Sequence, residues 1–382
     1  MQPLLLEFRR HLHAHPELSF AEHNTQAFVA ERLRQAGIEA RVVATTGLIA
    51  EIHGEAAGPG DRTIALRADL DALPILEQST CAYRSLNDGV MHACGHDAHT
   101  AMVLVAGLAL HALRNEWCGT VQLVFQPGEE KIPGGASLLL KENAFGTKLP
   151  GAIFGQHVTP ELAVGMLGFR AGPFMASSDE LYVTVKGKGG HAAMPHLLVD
   201  PILIAARLLL TLKDEFDALY PGQPKVLAFG KVTAEGATNV IPGEVKLAGT
   251  LRAFDESMRE ELHTWLPKRA AELCGSLGGS CDFEVRRGYP VLVNEEALTQ
   301  RLRSVAVAYV GEANVVDMDI RMGSEDFAFY THVMPGCFFR LGTGNAAKGT
   351  TSGLHTATFD IDEDALAIGC GVMVAGALSE LQ

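Results

Sequence analysis

The feature that most constrains the fold is a change of pattern after residue 170. The chain there predicts a strand over 181–185, a helix from Pro201 to about 213 with Asp200 as its N-cap, and strands over 226–232 and 245–254. A helix over 256–274 and a strand over 281–287 complete a β-α-β-β-α-β order, which is typical of a ferredoxin-like α+β unit. Because the earlier pattern then resumes, we expect this unit, residues 178–287, to be inserted into a discontinuous domain of residues 1–177 and 288–382.

The two outer segments alternate helices with strands, which indicates an α/β domain with a mixed sheet flanked by helices. The predicted helices cover 4–36, 100–113, 134–143, 296–310 and 364–378, and the predicted strands cover 40–43, 48–53, 63–67, 120–125, 151–154 and 337–341. Pro16 should divide the first helix in two. The histidines beside this break, His11, His13 and His15, are expected to be solvated or to form the break rather than to bind a ligand.

Composition excludes several classes of partner. The net charge of −14 over 382 residues argues against binding to nucleic acid or to an anionic membrane. No stretch approaches the ~20 apolar residues of a membrane span, and the N-terminus lacks the pattern of a signal peptide. Seven scattered cysteines are not a disulfide framework. We therefore expect a cytoplasmic protein, and the charge does not argue against a small anionic substrate.

Residues 91–99 concentrate the chemistry of the chain. This stretch holds three histidines, Asp97 and Cys94, and a glycine separates Cys94 from His96. A thiolate and a neutral imidazole are good ligands for Zn²⁺ and its neighbours in the first transition row. The stretch alone also fits a reactive cysteine or a buried structural thiol.

Further polar side chains follow or end the predicted strands. Two carboxylates, Asp69 and Asp71, follow one strand, and the adjacent Glu129 and Glu130 follow another. Adjacent glutamates beside a buried strand need a cation, and the economical division leaves one as a ligand and the other as a general base. With Glu129 as the base, five candidate ligands remain, which fit two metal ions better than one: Cys94, His96, Glu130, His157 and His355.

At this point the sequence resembles the M20 metallopeptidase/amidohydrolase family, in particular its branch of aminoacylases, hippurate hydrolases and auxin-conjugate hydrolases. The matching motifs occur in family order over nearly the whole chain. They are HAHPELSF at 13–20, RADLDALP at 67–74, HACGHDAH at 92–99, QPGEE at 126–130, GHAAMPH at 190–196, NVIP at 239–242, GTLR at 249–252, GSEDF at 323–327 and GLH at 353–355.

The resemblance implies a catalytic domain with an inserted lid domain, and a homodimer, or a tetramer, formed through the lids. It implies two divalent ions (Zn, Mn, Co or Ni) on the five ligands named above, with Cys94 bridging. It implies Glu129 as general base, Asp71 as a second acid that orients a ligand, and His191 as the donor to the oxyanion. On the lid, Asn239 and Arg252 become candidate substrate contacts, although a structural role for Arg252 is nearly as consistent with the sequence. Gly128 and residues 131–133 depart from the family pattern.

The sequence therefore predicts an amidohydrolase that converts N-acyl-L-amino acids (N-acetyl, benzoyl or similar) to a carboxylate and a free amino acid, using a water that bridges the metals. Three alternatives remain open. A dipeptidase or aminopeptidase of the same clan would need acidic groups for a free ammonium, and Glu325 and Asp326 are available. Cys94 could instead be the nucleophile of a Cys-His hydrolase, or the chain could be a catalytically silent binding protein.

Overall fold

A computed structural model of the chain describes residues 1–58 and 60–381. The chain divides into two compact units. Unit 1 comprises Met1–Phe174, Leu292–Ile320 and Glu325–Gln382, and unit 2 comprises Met175–Val291 and Arg321–Ser324. Their assignment as a catalytic domain and a lid remains a prediction, because compactness says nothing about the role of a unit.

Regular elements follow one another closely along the described residues. The α-helices are α1 Gln2–Ala14, α2 His23–Gln35, α3 His96–Ala112, α4 Gly135–Lys141, α5 Pro201–Ala218, α6 Glu256–Ser276, α7 Glu296–Val310, α8 Ala328–Thr331 and α9 Ala365–Leu381. The β-strands are β1 Ala40–Val43, β2 Gly47–Glu55, β3 Thr63–Asp69, β4 Cys118–Gln126, β5 Ala152–Ala163, β6 Leu167–Phe169, β7 Gly172–Met175, β8 Asp179–Lys186, β9 Gly190–His191, β10 Lys225–Thr233, β11 Val240–Ile241, β12 Glu244–Ala253, β13 Ser280–Arg287, β14 Leu292–Asn294, β15 Val315–Asp317 and β16 Gly336–Gly344.

Unit 1 is built on a mixed eight-stranded sheet in the order β1-β2-β4-β3-β5-β16-β6-β15. Its centre is parallel, because β3 pairs in parallel with β4 and β5, and β5 pairs in parallel with β16. The core includes Leu66 of β3, Val103 of α3 and Phe154 of β5, all of which are inaccessible to solvent. Parallel strands covered by helices place their carboxyl ends at one edge, where α/β proteins usually build their sites. The predicted α/β class with a mixed sheet is confirmed.

Two predicted boundaries near the candidate site are wrong. The helix predicted to begin at residue 100 begins at His96, because Gly95 adopts a left-handed conformation (φ 85°) as its N-cap. The strand predicted to end at residue 154 continues to Ala163, because β16 pairs with it from Ile153 as far as Ala163. His96 therefore lies in the first turn of a helix, and His157 lies within a strand rather than in the loop after it.

Unit 2 contains the predicted β-α-β-β-α-β order as β8, α5, β10, β12, α6 and β13. The four strands form an antiparallel sheet in the order β10-β12-β8-β13, which is the ferredoxin-like arrangement. Alternate residues of β8 are buried against a core that includes Leu208 of α5 and Leu262 of α6. The side chain of Asp200 caps α5 by accepting the N–H groups of Ile202 and Leu203. None of the described helices is both long and apolar enough to cross a membrane.

Candidate metal centre

A cluster of possible metal ligands lies at the carboxyl edge of the sheet in unit 1. The Cys94 Sγ atom is 3.4 Å from Nε2 of His157 and 3.3 Å from Nε2 of His355. The Glu130 Oε1 atom is 3.1 Å from Nε2 of His355 and 4.0 Å from Nε2 of His96. The structure thus brings together all five ligands that the sequence suggested, from positions spread over more than 260 residues.

Local backbone geometry aims these side chains at one another. Gly95 separates Cys94 from His96, and a Cβ atom at this glycine would lie 2.3 Å from Cγ2 of Val158. Only glycine therefore allows the turn to pack against β5 at this point. His355 has a positive φ of 60°, and its N–H donates to the carbonyl oxygen of Ala93 at 2.8 Å. The loop that carries His355 is thus fixed directly to the residue before Cys94.

The tautomers of two buried histidines suit a metal. Nδ1 of His96 donates to the backbone carbonyl of Asp71 at 2.8 Å, and Nδ1 of His157 donates to the carbonyl of Val158 at 2.6 Å. Each ring therefore presents the lone pair of Nε2 to the cluster. Nε2 of His96 is buried and accepts no hydrogen bond within the described residues. A buried imidazole lone pair without a donor is costly in a protein interior, and a cation resolves the cost, so the donor set fits a transition-metal ion.

The charge of the cluster also favours a cation. Burial and the carboxylate of Glu130 raise the pKa of Cys94, so the thiolate needs a compensating positive charge. Hydrogen bonds to Cys94 and Glu130 raise the pKa of His355 to about 10. The site therefore attracts positive charge, which divalent ions supply more effectively than protons.

Glu129 is buried next to the cluster. Its Oε1 accepts the backbone N–H of Asp326 at 3.4 Å. Burial and the charges of Glu325 and Glu130 raise the pKa of Glu129 well above its ordinary value. A carboxylate with a raised pKa is a better proton acceptor near neutral pH than an ordinary glutamate.

A buried arginine that the sequence analysis did not single out organises the acidic groups behind the cluster. Arg67 on β3 is 1% exposed and contacts three carboxylates. Nη1 is 2.7 Å from Asp69, and Nη2 is 2.9 Å from both Glu325 and Asp326. Glu325 and Asp326 are therefore held within unit 1 by ion pairs with a buried arginine. The sequence does offer one indication of this network, because Arg67 is a charged residue within an otherwise apolar predicted strand, two residues before Asp69.

Asp69 and His99 lie directly beside the cluster, and Asp69 Oδ2 is 3.6 Å from Nε2 of His96. Asp69 Oδ1 accepts a hydrogen bond from Nδ1 of His99 at 2.7 Å. The other nitrogen of His99 accepts the N–H of Val158 at 3.0 Å, so neither ring nitrogen has a lone pair for a metal. These contacts give His99 a structural role between β3 and β5.

The expectation that His13 is solvated is wrong. His13 is inaccessible to solvent, and its Nδ1 lies 2.8 Å from Asp97, which is also bound by Arg9 at 2.9 Å. Its other nitrogen lies 3.3 Å from Glu77. The carboxylate of Glu77 also accepts hydrogen bonds from the hydroxyl of Ser79 and from the N–H of Ser85. The hydrogen bonds of His13 and Glu77 are thus explained without a metal ion. These contacts connect α1 to the first turn of α3. The hydrophobic periodicity of α1 gave no indication of this long-range partner.

The remaining predicted site residues lie in unit 2. His191 is exposed in β9 and pairs with Val240 of β11, and its Nδ1 accepts the N–H of Ala193 at 3.2 Å. Asn239 lies beside it, since its carbonyl accepts the N–H of Ala192 at 3.0 Å. Arg252 of β12 donates to Ser324 Oγ at 2.9 Å, and burial lowers its pKa. His191 and Asn239 thus share one segment, whereas Arg252 lies on the four-stranded sheet.

Known proteins resemble this chain over nearly its full length. The sequence profile of peptidase family M20/M25/M40 matches residues 65–378. An N-acetyl-L-cysteine deacetylase of Bacillus subtilis (strain 168) is 37% identical over 368 residues, which cover 96% of this chain and 85% of the relative. Thermostable carboxypeptidase 2 of Saccharolobus solfataricus is 34% identical over 377 residues, which cover 96% of this chain and 92% of that relative.

Solved structures agree with the sequence comparison. The Bacillus subtilis YXEP protein, described as a dinuclear metal binding peptidase from the M20 family, superimposes with a TM-score of 0.85 at 34% identity. The match covers all of this chain and 98% of that one. The ligand cluster at the sheet edge and these matches lead to the same assignment: the chain belongs to peptidase family M20/M25/M40 and is a hydrolase of amide bonds.

Proposed function

We propose that the protein is a two-metal amidohydrolase that cleaves N-acyl-L-amino acids to a carboxylate and a free amino acid. The observation that carries the proposal is the convergence of Cys94, three imidazole Nε2 atoms and Glu130 beside a second, buried glutamate with a raised pKa. The ions would be held by Cys94, His96, Glu130, His157 and His355. Divalent ions at such a site lower the pKa of water from about 15.7 toward about 7 and polarise a carbonyl oxygen.

The residues of the chain supply the proton transfers. Glu129 accepts the proton of the attacking water as the new C–O bond forms at the acyl carbon. It then delivers that proton to the amine nitrogen as the C–N bond breaks, so its own protonation state is restored. His191 would donate to the oxyanion, and Asn239 and Arg252 would contact the substrate, with the Arg252 guanidinium matched to the α-carboxylate.

Relatives support both the proposal and its alternative. One relative is named for deacetylation of an N-acetylated amino acid, and another is named as a carboxypeptidase. Both activities break an amide bond next to a carboxylate-bearing residue. We favour the N-acyl amino acid because Glu325 and Asp326, the acidic pair suggested for a free ammonium, are buried and already engaged in ion pairs with Arg67.

A matched substrate panel tests this proposal. The purified protein, loaded in turn with Zn²⁺, Mn²⁺, Co²⁺ or Ni²⁺, is assayed on N-acetyl and N-benzoyl amino acids, on the corresponding free dipeptides, and on dipeptides with an acylated N-terminus. We expect the highest kcat/KM for an N-acyl amino acid. A clear preference for free dipeptides would refute the substrate class, and a preference for acylated dipeptides would identify a carboxypeptidase. Absence of turnover over the whole panel would favour the silent binding protein.

We further propose that the protein is a homodimer formed through unit 2. Leu203 and Leu210 on α5 are each 68% exposed, and Val232 on the edge strand β10 is 58% exposed. Large apolar side chains and an unpaired strand edge on one unit are typical of a surface that is covered in an assembly. Light scattering, which measures the molar mass in solution, tests this. We expect a dimer for the wild-type protein and a monomer for its Leu203→Glu variant. A wild-type monomer would refute it, and a tetramer would show a second interface.

The compartment proposed from the sequence is the cytoplasm. None of the seven cysteines forms a disulfide with another described residue, and the candidate ligand Cys94 must remain reduced to bind a metal. Fractionation of the producing cell would test this assignment.

A further inference from the structure

The segment between α1 and α2, residues 16–22, contains none of the proposed metal ligands, yet it lies against the loops that carry them. The N–H of Ala72 donates to the carbonyl of Glu17 at 2.8 Å. Leu18 forms a parallel bridge with the same alanine. The segment is therefore fixed beside Asp71, one residue before Ala72.

Ser19 acts on the glutamate turn through Asp71. Its hydroxyl donates to Asp71 Oδ2 at 2.6 Å. Asp71 Oδ1 accepts the N–H of Glu129 and Oδ2 accepts the N–H of Glu130, both at 3.0 Å. A carboxylate that is held by three donors has little freedom to rotate, so it fixes the backbone of both glutamates.

Glu22 holds the preceding residue of the same turn. Its Oε1 accepts the N–H of Gly128 at 2.8 Å and that of Phe20 at 2.9 Å, and its Oε2 accepts the hydroxyl of Thr46 at 2.5 Å. Glu22 is inaccessible to solvent. Three successive N–H groups, those of residues 128, 129 and 130, therefore end on two buried carboxylates.

Shape reinforces these hydrogen bonds. Phe20 adopts a positive φ of 65°, and its ring occupies the space above Gly128. A Cβ atom at Gly128 would lie 2.3 Å from Cε1 of that ring, and the glycine itself has a φ of 57°. Ring and turn thus fit closely at the residue before Glu129.

We propose that Ser19 and Glu22 are positioning residues, and that residues 16–22 form a brace that holds the Gly128–Glu130 turn in its reactive geometry. The role as a brace of a general base rests on the proposed function. The physical need is specific, because two adjacent glutamates repel each other and the turn would otherwise relax to separate them. Holding the peptide groups fixes where both side chains begin while leaving their carboxylates available.

Two measurements on the metal-loaded protein test the brace, and the first needs no substrate. Amide hydrogen exchange of Glu129 and Glu130 is compared in the wild type, Ser19→Ala, the conservative Ser19→Thr, and the control Ser304→Ala. Ser304 is exposed on α7, and its hydroxyl donates to the carbonyl of Gln300 in the same helix. We expect exchange of the two amides to be about tenfold faster in Ser19→Ala, as after loss of a charge-assisted hydrogen bond, and restored in Ser19→Thr. Unchanged exchange in Ser19→Ala would overturn the proposal.

The second measurement separates positioning from folding. On the best substrate of the panel, Ser19→Ala should lower kcat about tenfold with KM and metal content within twofold of the wild type, and Ser19→Thr should recover it. Glu22→Gln, which keeps one acceptor oxygen for Gly128, should be milder than Glu22→Ala in both measurements. If Ser19→Ala lost bound metal or folded protein in proportion to its loss of kcat, the role of Ser19 would be structural only, and the proposal would be overturned. Faster exchange in a protein without turnover would refute the proposed function and leave the brace standing.

Discussion

Asp71 holds Glu129 by its backbone, since Asp71 Oδ1 accepts the Glu129 N–H at 3.0 Å. The carbonyl of Asp71 meanwhile accepts the proton of His96 Nδ1 at 2.8 Å. One residue thus sets both the tautomer of a proposed ligand and the position of the proposed base. The family role suggested for Asp71, orientation of a ligand, remains a proposal, and these contacts support it.

Replacement of Glu129 by Gln should remove proton transfer and leave the metal in place. The amide preserves the size of the side chain but cannot accept the proton of water, so we expect kcat to fall by about 10²–10⁴. Metal content is measured on the same sample, with the exposed Glu31→Gln as control. Near-native turnover in Glu129→Gln would show that another group is the base.

Removal of the metal should abolish activity, because Cys94 is proposed as a ligand and not as a nucleophile. Dialysis against a chelator should eliminate turnover, and Zn²⁺, Mn²⁺, Co²⁺ or Ni²⁺ should restore it. Cys94→Ser should lose bound metal, whereas Cys281→Ser, a half-buried cysteine of unit 2, should retain it. Turnover that survives chelation but is lost on thiol alkylation would identify a Cys-His hydrolase.

Arg67 should be essential to the stability of unit 1. Arg67→Met would leave three buried carboxylates without their cation, which should lower the free energy of unfolding by about 3–5 kcal/mol. The matched control is Arg114→Met, whose partner Glu55 is exposed, and the cost there should be below about 1 kcal/mol. Thermal unfolding of both variants measures these costs. Equal decreases in melting temperature would contradict the proposed importance of Arg67 for stability.

Stability should fall at mildly alkaline pH through His13. Although burial alone would lower its pKa, Asp97 and Glu77 raise the pKa of His13 from 6.5 to about 8 in the folded protein. The folded state therefore binds the proton more tightly, so the stabilisation is complete below pH 6.5 and is lost as the pH rises through 8. A shift of this size corresponds to about 2 kcal/mol.

The control for this prediction is His13→Gln, which has no titrating ring. The difference in unfolding free energy between wild type and variant, followed from pH 6 to 9, isolates the contribution of His13 from that of the metal site. A pH-independent difference would contradict the prediction.

The sequence by itself determined the fold class, the ferredoxin-like order of unit 2, the family and the set of ligand-type residues. These depend on local periodicity, on capping residues such as Asp200, and on short motifs, all of which can be read along the chain. The predicted start of α3 and the predicted end of β5 were wrong. The left-handed backbone of Gly95 starts α3 at His96, and pairing of β5 with β16 extends β5 past His157.

Only the tertiary structure decided which polar residues outside the proposed ligand set hydrogen-bond to one another around the site. Four hydrogen bonds join positions that are 52 to 259 residues apart: Arg67 with Asp326, His13 with Asp97, Ser19 with Asp71, and Glu22 with Gly128. No local pattern records such pairs, because a hydrogen bond between distant segments depends on how the sheet and helices pack. The same chemistry that made His13 look solvated in the sequence makes it a buried, charged link once Asp97 and Glu77 surround it.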